Sequence, residues 1–572
     1  MTKSPGNLEH VNRRMLGEIL LSRESCTQEQ IDKALAEQAR SGGRLGETLL
    51  AMGALEQEEL TRALGIQVGL EPIDLDATSI PPDVRERMDA TTCALYRAVP
   101  VRVETDGTLV VALADPMNVS IIQDLSFSVG SDVVAVIASE SAVDRALAAH
   151  WGEESEEGLA EAIIDEARQV TGSIDLEDKA EMARAAPVVK LLNYILLHAI
   201  RDKASDIHLE PFEDEFKVRY RVDGVLFEVE SPPLSLASAL ISRVKVMSNL
   251  DIAETRVPQD GRIELSLGGR PIDLRVSTMP TVHGESCVLR VLDRSVVSLD
   301  LANVGLRDDE QEILNGLLER PHGIVLVTGP TGSGKTTSLY SALNRLNDVE
   351  RKIITVEDPI EYDLDGIIQV QVNDDIGVTY ASVLRSILRQ DPDILLVGEF
   401  SDSETAQIAV EAALTGHLIL STLHTNDAPS TITRLVDVGV PPYLIVATLE
   451  AVVAQRLVRS ICPDCRRDYV PDDDVLRELG FEREEIGEHT FAYGDGCERC
   501  NYSGHVGRRA LFEIMVMSET LRNLVLDGAP TLELRAAAVR EGMRPLREAG
   551  RLAVLEGSTT VEEVLRETLV DL

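Results

Sequence analysis

The sequence predicts a multidomain α/β protein whose central domain is a parallel sheet covered by helices on both faces. In residues 301–456, nearly continuous apolar runs such as GIVLV and ILLV alternate with helical stretches, as expected of buried parallel strands. In residues 187–300, segments such as FKVRYRV alternate apolar and polar positions, which indicates a second α/β module. The chain has 572 residues, 44% of them hydrophobic, so it can bury several separate cores.

An internal repeat marks the N-terminal region. Residues 15–38 and 44–67 match at an offset of 29 residues and share Leu-Gly-Glu, a Leu-Leu pair and a closing Gln. Apolar residues fall at helical spacings in both copies, so each copy predicts two short helices joined by a turn. Runs such as TLVVAL and VVAVIA then predict a small α/β part. We assign the repeat and this part to one N-terminal domain, residues 1–151.

The charge balance is strongly acidic. Fifty-five Lys and Arg stand against 97 Asp and Glu, and the net charge of −42 disfavours binding to nucleic acid. Residues 152–186 concentrate acidic side chains in EESEE and LEDKAE, which predicts a charged, flexible linker. We therefore expect no nucleic-acid partner.

Two observations predict a cytoplasmic protein. The segment MTKSPGNLEHVNRR at the start lacks the apolar region of a signal peptide. The most apolar window, residues 436–458, contains Asp437, Pro441, Pro442 and Glu450, which argues against a spanning helix. We expect a buried helical region there instead.

Four of the seven cysteines form two C-x-x-C pairs. Cys462 and Cys465 are separated by 31 residues from Cys497 and Cys500. Four thiolates can hold Zn²⁺ in a closed tetrahedral site, so the pairs predict structural zinc in residues 457–516. The alternative is four reduced thiols without a metal.

The strongest motif is a phosphate loop, GPTGSGKT at residues 329–336. It follows the apolar run GIVLV and precedes a helix-forming stretch, which is the context such a loop requires. Backbone N–H groups of the loop and Lys335 would bind ATP phosphates, and the Thr336 hydroxyl would bind Mg²⁺. The predicted ATP-binding residues are Gly329, Pro330, Thr331, Gly332, Ser333, Gly334, Lys335, Thr336 and Thr337. Residues 301–456 are therefore predicted to form a RecA-like P-loop nucleoside triphosphatase core.

Three later apolar runs also end in polar side chains. IITVE ends at Glu357, ILLVGE at Glu399 and LILSTLH at His424. Ligands bind at the carboxyl ends of strands in open parallel sheets, so we expect these side chains near the phosphate loop. A carboxylate there can hold Mg²⁺ through water or position the attacking water. The alternatives are that a carboxylate caps a helix and that His424 is a packed hydrogen-bonding group.

Ordered motifs run through residues 187–516. They are ASDIHLEPF, RYRVDG, LDIAETRVPQDGR, RVSTMPTVHGE, the phosphate loop, TVEDPIEY, RQDPDILLVGE, TGHLILSTLHTND and AQRLVRSICPDC. This series closely resembles the type II/type IV secretion ATPase family, the cytoplasmic motors of type II secretion systems and type IV pili. The resemblance implies a PAS-like fold for residues 187–300.

The resemblance also implies roles for single residues. Glu399 would be the catalytic glutamate, with Glu357 a second acidic residue at the γ-phosphate, although these two roles are exchangeable. His424 lies in the family's histidine motif, and Arg275 and Arg290 match arginines that reach the nucleotide from the PAS-like module. The alternative for an arginine on a strand is a solvated face.

The implied partners are other copies of the chain and a membrane machine. The family forms hexamers whose rotation is transmitted to an inner-membrane platform protein, and a membrane-anchored partner with a cytoplasmic domain is expected. EDPIEYDLDG and EAALTGHL favour the type II secretion branch over pilus extension. Where the family usually has GEIRDxETA, this chain has GEFSDSETA, with Phe400 and Ser401, which puts the turnover rate in doubt.

The N-terminal repeat resembles the MshEN-like domain that binds cyclic di-GMP in some of these ATPases. The residues carried over from it are Leu16, Gly17, Gln38, Arg44, Leu45, Gly46, Leu49, Leu50, Gly53, Leu60, Leu64 and Gln67. The first copy departs from the pattern at Met15 and Glu24, so binding stays open. A helical docking domain for a membrane-anchored partner is the alternative, and a cyclic di-GMP receptor with a weakened motor is a third hypothesis.

The predicted domains follow from these assignments. They are the N-terminal domain 1–151, the linker 152–186, the PAS-like module 187–300, the ATPase core 301–456, the zinc subdomain 457–516 and the C-terminal helices 517–572.

Overall fold

The computed structural model describes residues 16–23, 25–41, 45–114, 119–151, 162–164, 186–229, 231–267, 270–293, 300–400, 402–481 and 490–568. The chain divides into two compact units, Met1–Val296 and Val297–Leu572. Within the described ranges we find no helix that combines the length and the apolar character needed to cross a bilayer.

The N-terminal repeat folds as two helix–turn–helix pairs, because each copy repeats its apolar residues at helical spacings. The helices are α1 (Leu16–Ser22), α2 (Gln28–Ser41), α3 (Leu45–Ala51) and α4 (Gln57–Val68). Leu20, Ile31, Leu49 and Ala63 belong to their shared core. Equivalent helices of the two copies begin 29 residues apart, as the repeat predicts.

A small α/β part follows the repeat. Its elements are α5 (Pro82–Arg85), α6 (Ala90–Tyr96), β1 (Ala98–Val103), β2 (Leu109–Leu113), α7 (Val119–Val129), β3 (Val133–Ile137) and α8 (Glu140–Trp151). Strand β2 pairs antiparallel with β1 and parallel with β3. All five residues of β2 are buried, which explains why TLVVAL reads as one continuous apolar run.

The second module is a six-stranded antiparallel sheet with the order β6-β5-β4-β9-β8-β7. Its elements are α9 (Ala186–Arg201), β4 (Asp206–Pro211), β5 (Phe216–Val222), β6 (Val225–Glu228), α10 (Ala237–Met247), β7 (Gln259–Leu267), β8 (Arg270–Thr281) and β9 (Gly284–Asp293). Apolar residues of α9 and α10 pack in one core with those of the sheet. Ile163 and Ile164, which fall within the predicted linker, are buried in the same core.

The second unit is built on a seven-stranded sheet with the order β12-β11-β13-β14-β10-β15-β18. The strands are β10 (Gly323–Thr328), β11 (Ile353–Glu357), β12 (Ile368–Gln371), β13 (Ile394–Val397), β14 (Leu418–Leu423), β15 (Leu449–Ile461) and β18 (His505–Val516). All pairs are parallel except β15 with β18. The runs GIVLV, IITVE, ILLV and LILSTL are therefore buried parallel strands, and the predicted fold class is confirmed.

Helices cover this sheet and continue to the end of the described chain. They are α11 (Asp308–Leu318), α12 (Lys335–Leu346), α13 (Tyr380–Ile387), α14 (Ser403–Leu414), α15 (Ala428–Val438), α16 (Pro442–Thr448), α17 (Asp473–Glu478), α18 (Glu519–Leu526), α19 (Thr531–Arg540), α20 (Leu546–Leu555) and α21 (Val561–Glu567). A two-stranded ribbon of β16 (Arg466–Tyr469) and β17 (Phe491–Gly494) lies between β15 and β18 in sequence. The helices after residue 516 share one apolar core with the ATPase sheet.

The position of β15 in this sheet differs from two predictions made from the sequence. The window 436–458 is helical only to Thr448, because Leu449 begins β15, which lies between β10 and β18 in the sheet. The division at residues 456 and 457 falls inside β15, and residues 505–516 form the strand paired with it. The segment between these strands is therefore an insertion into the ATPase sheet.

The N-terminal core gives a direct stability prediction. We expect Leu49→Ala to weaken the helical repeat by about 2–5 kcal/mol, because Leu49 is fully buried and its removal leaves a cavity. Hydrogen exchange of α1–α4 amides in the full chain measures this locally, since a multidomain chain does not unfold in two states. Leu35→Ala is the control, because Leu35 is 47% exposed. Equal losses of protection in the two variants would contradict the described core.

Candidate functional site

The phosphate loop joins β10 to α12 through three glycines with positive φ. Gly329, Gly332 and Gly334 have φ values of 149°, 80° and 87°, a region that other residues rarely adopt. A Cβ atom on Gly334 would lie only 2.8 Å from Nε2 of Gln455. Gln455 in β15 also accepts a 2.8 Å hydrogen bond from Ser338 Oγ in α12. The loop is thus closely packed against β15, and only glycine fits at residue 334.

The ammonium group of Lys335 lies in the curve of this loop. Lys335 is 8% exposed, and its Nζ donates to the carbonyls of Gly329 (2.8 Å) and Pro330 (3.0 Å). Burial lowers the pKa of Lys335, the Glu399 carboxylate opposes this effect, and Arg456 adds to it. Phosphate oxygens are stronger acceptors for an ammonium than neutral carbonyls. The loop is therefore suited to an anionic ligand.

Two further groups in the loop fit a Mg²⁺-bound nucleotide. Ser333 Oγ is buried and has no hydrogen-bond partner among the described residues. Thr336 is exposed in the first turn of α12, where its hydroxyl is accessible. A phosphate oxygen would accept a hydrogen bond from Ser333 Oγ. The Thr336 hydroxyl and phosphate oxygens are ligands of the kind that Mg²⁺ prefers.

Glu399 and His424 lie next to each other at the carboxyl ends of β13 and β14. The two strands pair in parallel, and His424 Nε2 is 3.3 Å from Glu399 Oε2. The His424 side chain is 54% exposed and the Glu399 side chain is 38% exposed. Both groups therefore remain accessible to a substrate and to water.

Glu357 is placed differently. It is 4% exposed, and its Oε1 accepts hydrogen bonds from Thr355 Oγ1 (2.6 Å) and Gln369 Nε2 (3.1 Å). Its Oε2 accepts a hydrogen bond from the Tyr340 hydroxyl. Burial and the charge of Glu357 raise the pKa of Tyr340, which keeps its hydroxyl protonated as a donor. Both oxygens of Glu357 are thus engaged inside the protein, whereas Glu399 reaches solvent.

Sequence reasoning missed several neighbours of this site. Tyr340 on α12 and Gln455 on β15 hold Glu357 and the phosphate loop, respectively. Arg456, also on β15, is close enough to lower the pKa of Lys335 and donates to Asn426 Oδ1 at 2.9 Å. The motif AQRLVRS contains Gln455 and Arg456 and could have pointed to both.

Arg275 and Arg290 belong to the first unit, where they face each other across β8 and β9. They are part of a cross-strand row in which Arg221, Asp206, Arg290, Arg275 and Arg262 are paired in this order. Arg290 Nε donates to Asp206 Oδ1 at 3.2 Å. Arg221 Nε also lies 3.7 Å from Asp206 Oδ2, whereas Arg262 Nε donates to Asp273 Oδ1 at 2.6 Å. The row thus contains four arginines, and the sequence had pointed to only two of them.

The four paired cysteines come together. Their sulfur atoms all lie within 4.8 Å of one another, and three of the Sγ–Sγ distances are 3.7–3.8 Å. Four sulfurs about 2.3 Å from a zinc ion would be separated by roughly 3.8 Å at the edges of a tetrahedron. The contacts therefore have the spacing of a metal cage, and we do not interpret them as thiol hydrogen bonds.

The surrounding backbone also suits thiolates. The N–H groups of Gly496, Cys497 and Gly504 donate to sulfur at 3.3, 3.1 and 3.3 Å. A Cβ atom on Gly494 would lie 1.9 Å from the Gly504 carbonyl oxygen, so glycine lets the two strand ends approach. The long spacing between the pairs is taken up by β16, α17 and β17.

The residues predicted to bind cyclic di-GMP divide into two groups. Arg44 lies outside the described residues, as do Met15 and Glu24. The apolar candidates are core residues of the repeat: Leu49 and Leu60 are buried, and Leu16, Leu45, Leu50 and Leu64 pack against them. Gly17, Gln38, Gly46, Gly53 and Gln67 lie in or next to the four helices. The leucines thus have a structural role whether or not a ligand binds.

Family comparisons cover most of the chain. Residues 181–566 match the family described as Type II/IV secretion system protein, and residues 65–157 match the MshEN domain. The MshEN match begins near the end of the second repeat copy and covers the small α/β part.

Three relatives illustrate the similarity. The type IV pilus assembly ATPase PilB of Myxococcus xanthus is 44% identical over 563 residues, 97% of this chain and 99% of that protein. The type II secretion system protein E of Dickeya dadantii is 51% identical over 394 residues, 69% of this chain and 78% of that protein. The type II secretion system ATPase E of Vibrio cholerae is 49% identical over 392 residues, 68% of this chain and 77% of that protein.

The family match over residues 181–566 includes the phosphate loop, the strands that carry Glu399 and His424, and the four cysteines. The family expected from the ordered motifs is therefore confirmed. Because the matched region and the nucleotide-binding geometry coincide, the chain belongs to the type II/IV secretion system protein family, and it is an ATPase that uses ATP and Mg²⁺.

Proposed function

We propose that this ATPase is the cytoplasmic motor of a type II secretion system and powers pseudopilus assembly as a homo-hexamer. Several relatives that are named for type II secretion are about half identical to it over the region of the nucleotide site. The observation that carries the proposal is the Glu399–His424 pair beside a buried Lys335, because this arrangement can hydrolyse a bound triphosphate. The proposed partners are an inner-membrane platform protein and a membrane-anchored protein with a cytoplasmic domain.

In the proposed mechanism, Lys335 leaves the carbonyls of Gly329 and Pro330 and donates to phosphate oxygens. Thr336 offers its hydroxyl to Mg²⁺, which neutralises charge on the phosphates when bound. Glu399 orients the attacking water and accepts its proton, since it is the carboxylate with access to solvent. His424 holds Glu399 in place by the hydrogen bond between them.

Glu357 has a supporting role in this proposal. Three donors fix its carboxylate, and one of them, Tyr340, is on the helix that begins in the phosphate loop. Glu357 therefore positions α12 relative to β11, and the exchange of its role with that of Glu399 is disfavoured. Arg275 and Arg290 are proposed to stabilise the charge of the transferred phosphoryl group in the assembled hexamer.

Pilus extension is the second candidate function. The match to the PilB relative covers 99% of that protein and 97% of this chain, whereas the matches to the type II relatives cover 77–86% of theirs. The chemistry at the site is the same in both functions. The assembled fibre distinguishes them, so the test must be made in cells.

A catalytic variant tests both the site and the function. Glu399→Gln and Lys335→Ala are expected to lower kcat for ATP by about 10²–10⁴-fold, because each removes a group that acts on the reacting phosphate or water. In a strain that lacks the gene, the wild type should restore secretion of extracellular enzymes and neither variant should. Glu404→Gln is the control, since Glu404 forms only an exposed pair with Arg385.

Two outcomes would contradict these assignments. Normal turnover in Glu399→Gln would remove Glu399 from the mechanism. Loss of surface pili with normal secretion in the deletion strain would assign the chain to pilus extension.

We also propose that the four cysteines bind structural zinc. Four thiolates fill the tetrahedron and leave no position for a substrate, so the ion would stabilise the inserted segment between β15 and β18. Residues Cys462, Cys465 and Cys500 are buried, which fits a site closed to solvent.

Metal content tests this site directly. Purified wild type should contain about one zinc ion per chain, and Cys465→Ser should lose it and melt at lower temperature, because metal binding is coupled to local folding. Cys287→Ser is the control, since Cys287 is a buried thiol in the core of the second module. Metal-free wild type with an unchanged melting temperature would show that the thiols need no metal.

Cyclic di-GMP binding by the N-terminal domain is a further proposal. The MshEN match and the repeat support it, and Arg44 could stack on guanine or pair with phosphate. The hypothesis of a weakened motor has less support, because Phe400 is 1% exposed and its N–H donates to the Thr422 carbonyl. Ser401 lies outside the described residues. Phe400 thus fits the core directly after Glu399.

Calorimetry with cyclic di-GMP tests the proposal on the full chain. Wild type is expected to bind, and Arg44→Ala to bind much more weakly, because the guanidinium is lost. Arg62→Ala is the control, since within the described residues Arg62 on α4 pairs with Glu58 and Glu59 of its own helix. If wild type gives no binding heat at several temperatures, the domain is not a cyclic di-GMP receptor.

A further inference from the structure

Residues 424–428, which we call the connecting segment, join β14 to α15 and make side-chain or backbone contacts at every position. His424 contacts Glu399. Thr425 Oγ1 is 2.6 Å from the Oγ1 atom of Thr328, and Thr328 is the residue directly before the phosphate loop. Thr425 N also donates to Thr328 Oγ1 at 2.9 Å. The first half of the segment therefore belongs to the nucleotide site.

The second half of the segment is held by α19 and by strand β18. The Asp427 carboxylate caps α15 by accepting from Ser430 N at 2.7 Å, and it also pairs with Arg535 on α19. The Ala428 N–H donates to Glu513 Oε1 at 2.8 Å. Thus Arg535 and Glu513 fix the end of the segment that is opposite His424.

Glu513 joins two helices at one carboxylate. It lies in β18, is 2% exposed, and its Oε2 accepts from Leu546 N, the first residue of α20, at 3.2 Å. Ala428 and Leu546 both begin helices, where N–H groups lack partners within the helix and the dipole favours an anion. A buried carboxylate with two such donors keeps the start of α15 at a fixed distance from α20.

We propose that Arg535 and Glu513 are positioning residues of the ATPase site that act through the connecting segment. They do not touch the reacting atoms. By holding Asp427 and Ala428, they keep His424 within hydrogen-bond distance of Glu399. The inference rests on the proposed roles of Glu399 and His424.

Geometry explains why a small shift would matter. The distance of 3.3 Å between His424 Nε2 and Glu399 Oε2 is already long for a hydrogen bond. Thr425 fixes the middle of the segment to Thr328, so movement of Asp427 turns His424 about this point. Without Arg535, the Asp427 side chain, which is only 18% exposed, would carry an unpaired charge and shift towards water.

The first test compares two arginines on α19 in the full-length chain. Arg535→Gln is expected to lower kcat roughly 10- to 100-fold, because a small displacement of a catalytic group has an effect of this size. The Kd for a fluorescent ATP analogue should not change. Arg540→Gln is the control, since its Nε reaches only the Ala536 carbonyl of its own helix. Normal kcat in Arg535→Gln, or an equal loss in both variants, would overturn the proposal.

A double-mutant cycle separates positioning from general destabilisation. If Arg535 acts through His424, then Arg535→Gln should lower kcat no further in a His424→Gln background. Equal fold-losses in both backgrounds would show that Arg535 acts elsewhere. If Arg535→Gln does not fold, Arg535→Lys takes its place: the cation keeps the chain folded, but an ammonium cannot reproduce the guanidinium geometry at Asp427, so a loss of kcat and the same two readings are expected.

The same cycle distinguishes the inference from the site assignment on which it rests. If His424→Gln alone has normal turnover, the proposed role of His424 fails. If His424→Gln is slow and Arg535→Gln is normal, only the positioning role fails.

Discussion

The nucleotide site depends on a buried ammonium group surrounded by main-chain carbonyls. Lys335 is held in the curve of its own loop by Gly329 and Pro330, and burial already disfavours its charged form. The loop can place this charge there because three glycines take up positive φ and because Gln455 closes the other side. A phosphate group relieves the burial cost by supplying strong acceptors, so the loop geometry itself favours the binding of ATP.

The parallel sheet determines which groups surround this charge. Strands β13, β14 and β10 are neighbours in this order. Thr328 ends β10, and Glu399 and Thr425 lie two residues after the ends of β13 and β14, at the same edge of the sheet. Strand β15 pairs with β10 on the other side and brings Gln455 and Arg456 to the loop. The side chains at this edge are therefore positioned by hydrogen bonds between strands, with no need for a long loop to carry them.

Much of this arrangement was predictable, and the reasons for the rest are physical. Apolar runs that end in Glu399 and His424 predict a parallel sheet with an active edge, since strand ends in such sheets meet at one side. The burial of Glu357 was not predictable, because it depends on Tyr340, a residue that is distant in sequence and shows no periodic signal. The same holds for β18, whose pairing with β15 follows an insertion of β16, α17 and β17. Pairing partners that are separated by an insertion leave no local pattern in a single sequence.

The late position of β18 has a consequence for biosynthesis. Apolar residues from Ile324 to Val564 share one core, and its outer strand spans His505–Val516. A ribosome makes β18 only after β15 and the whole insertion, so until β18 emerges the nascent chain exposes the unpaired side of β15 and the apolar surface beside it. The ATPase sheet can therefore be completed only after β18 has emerged, and until then its outer side is open to incorrect strand pairing.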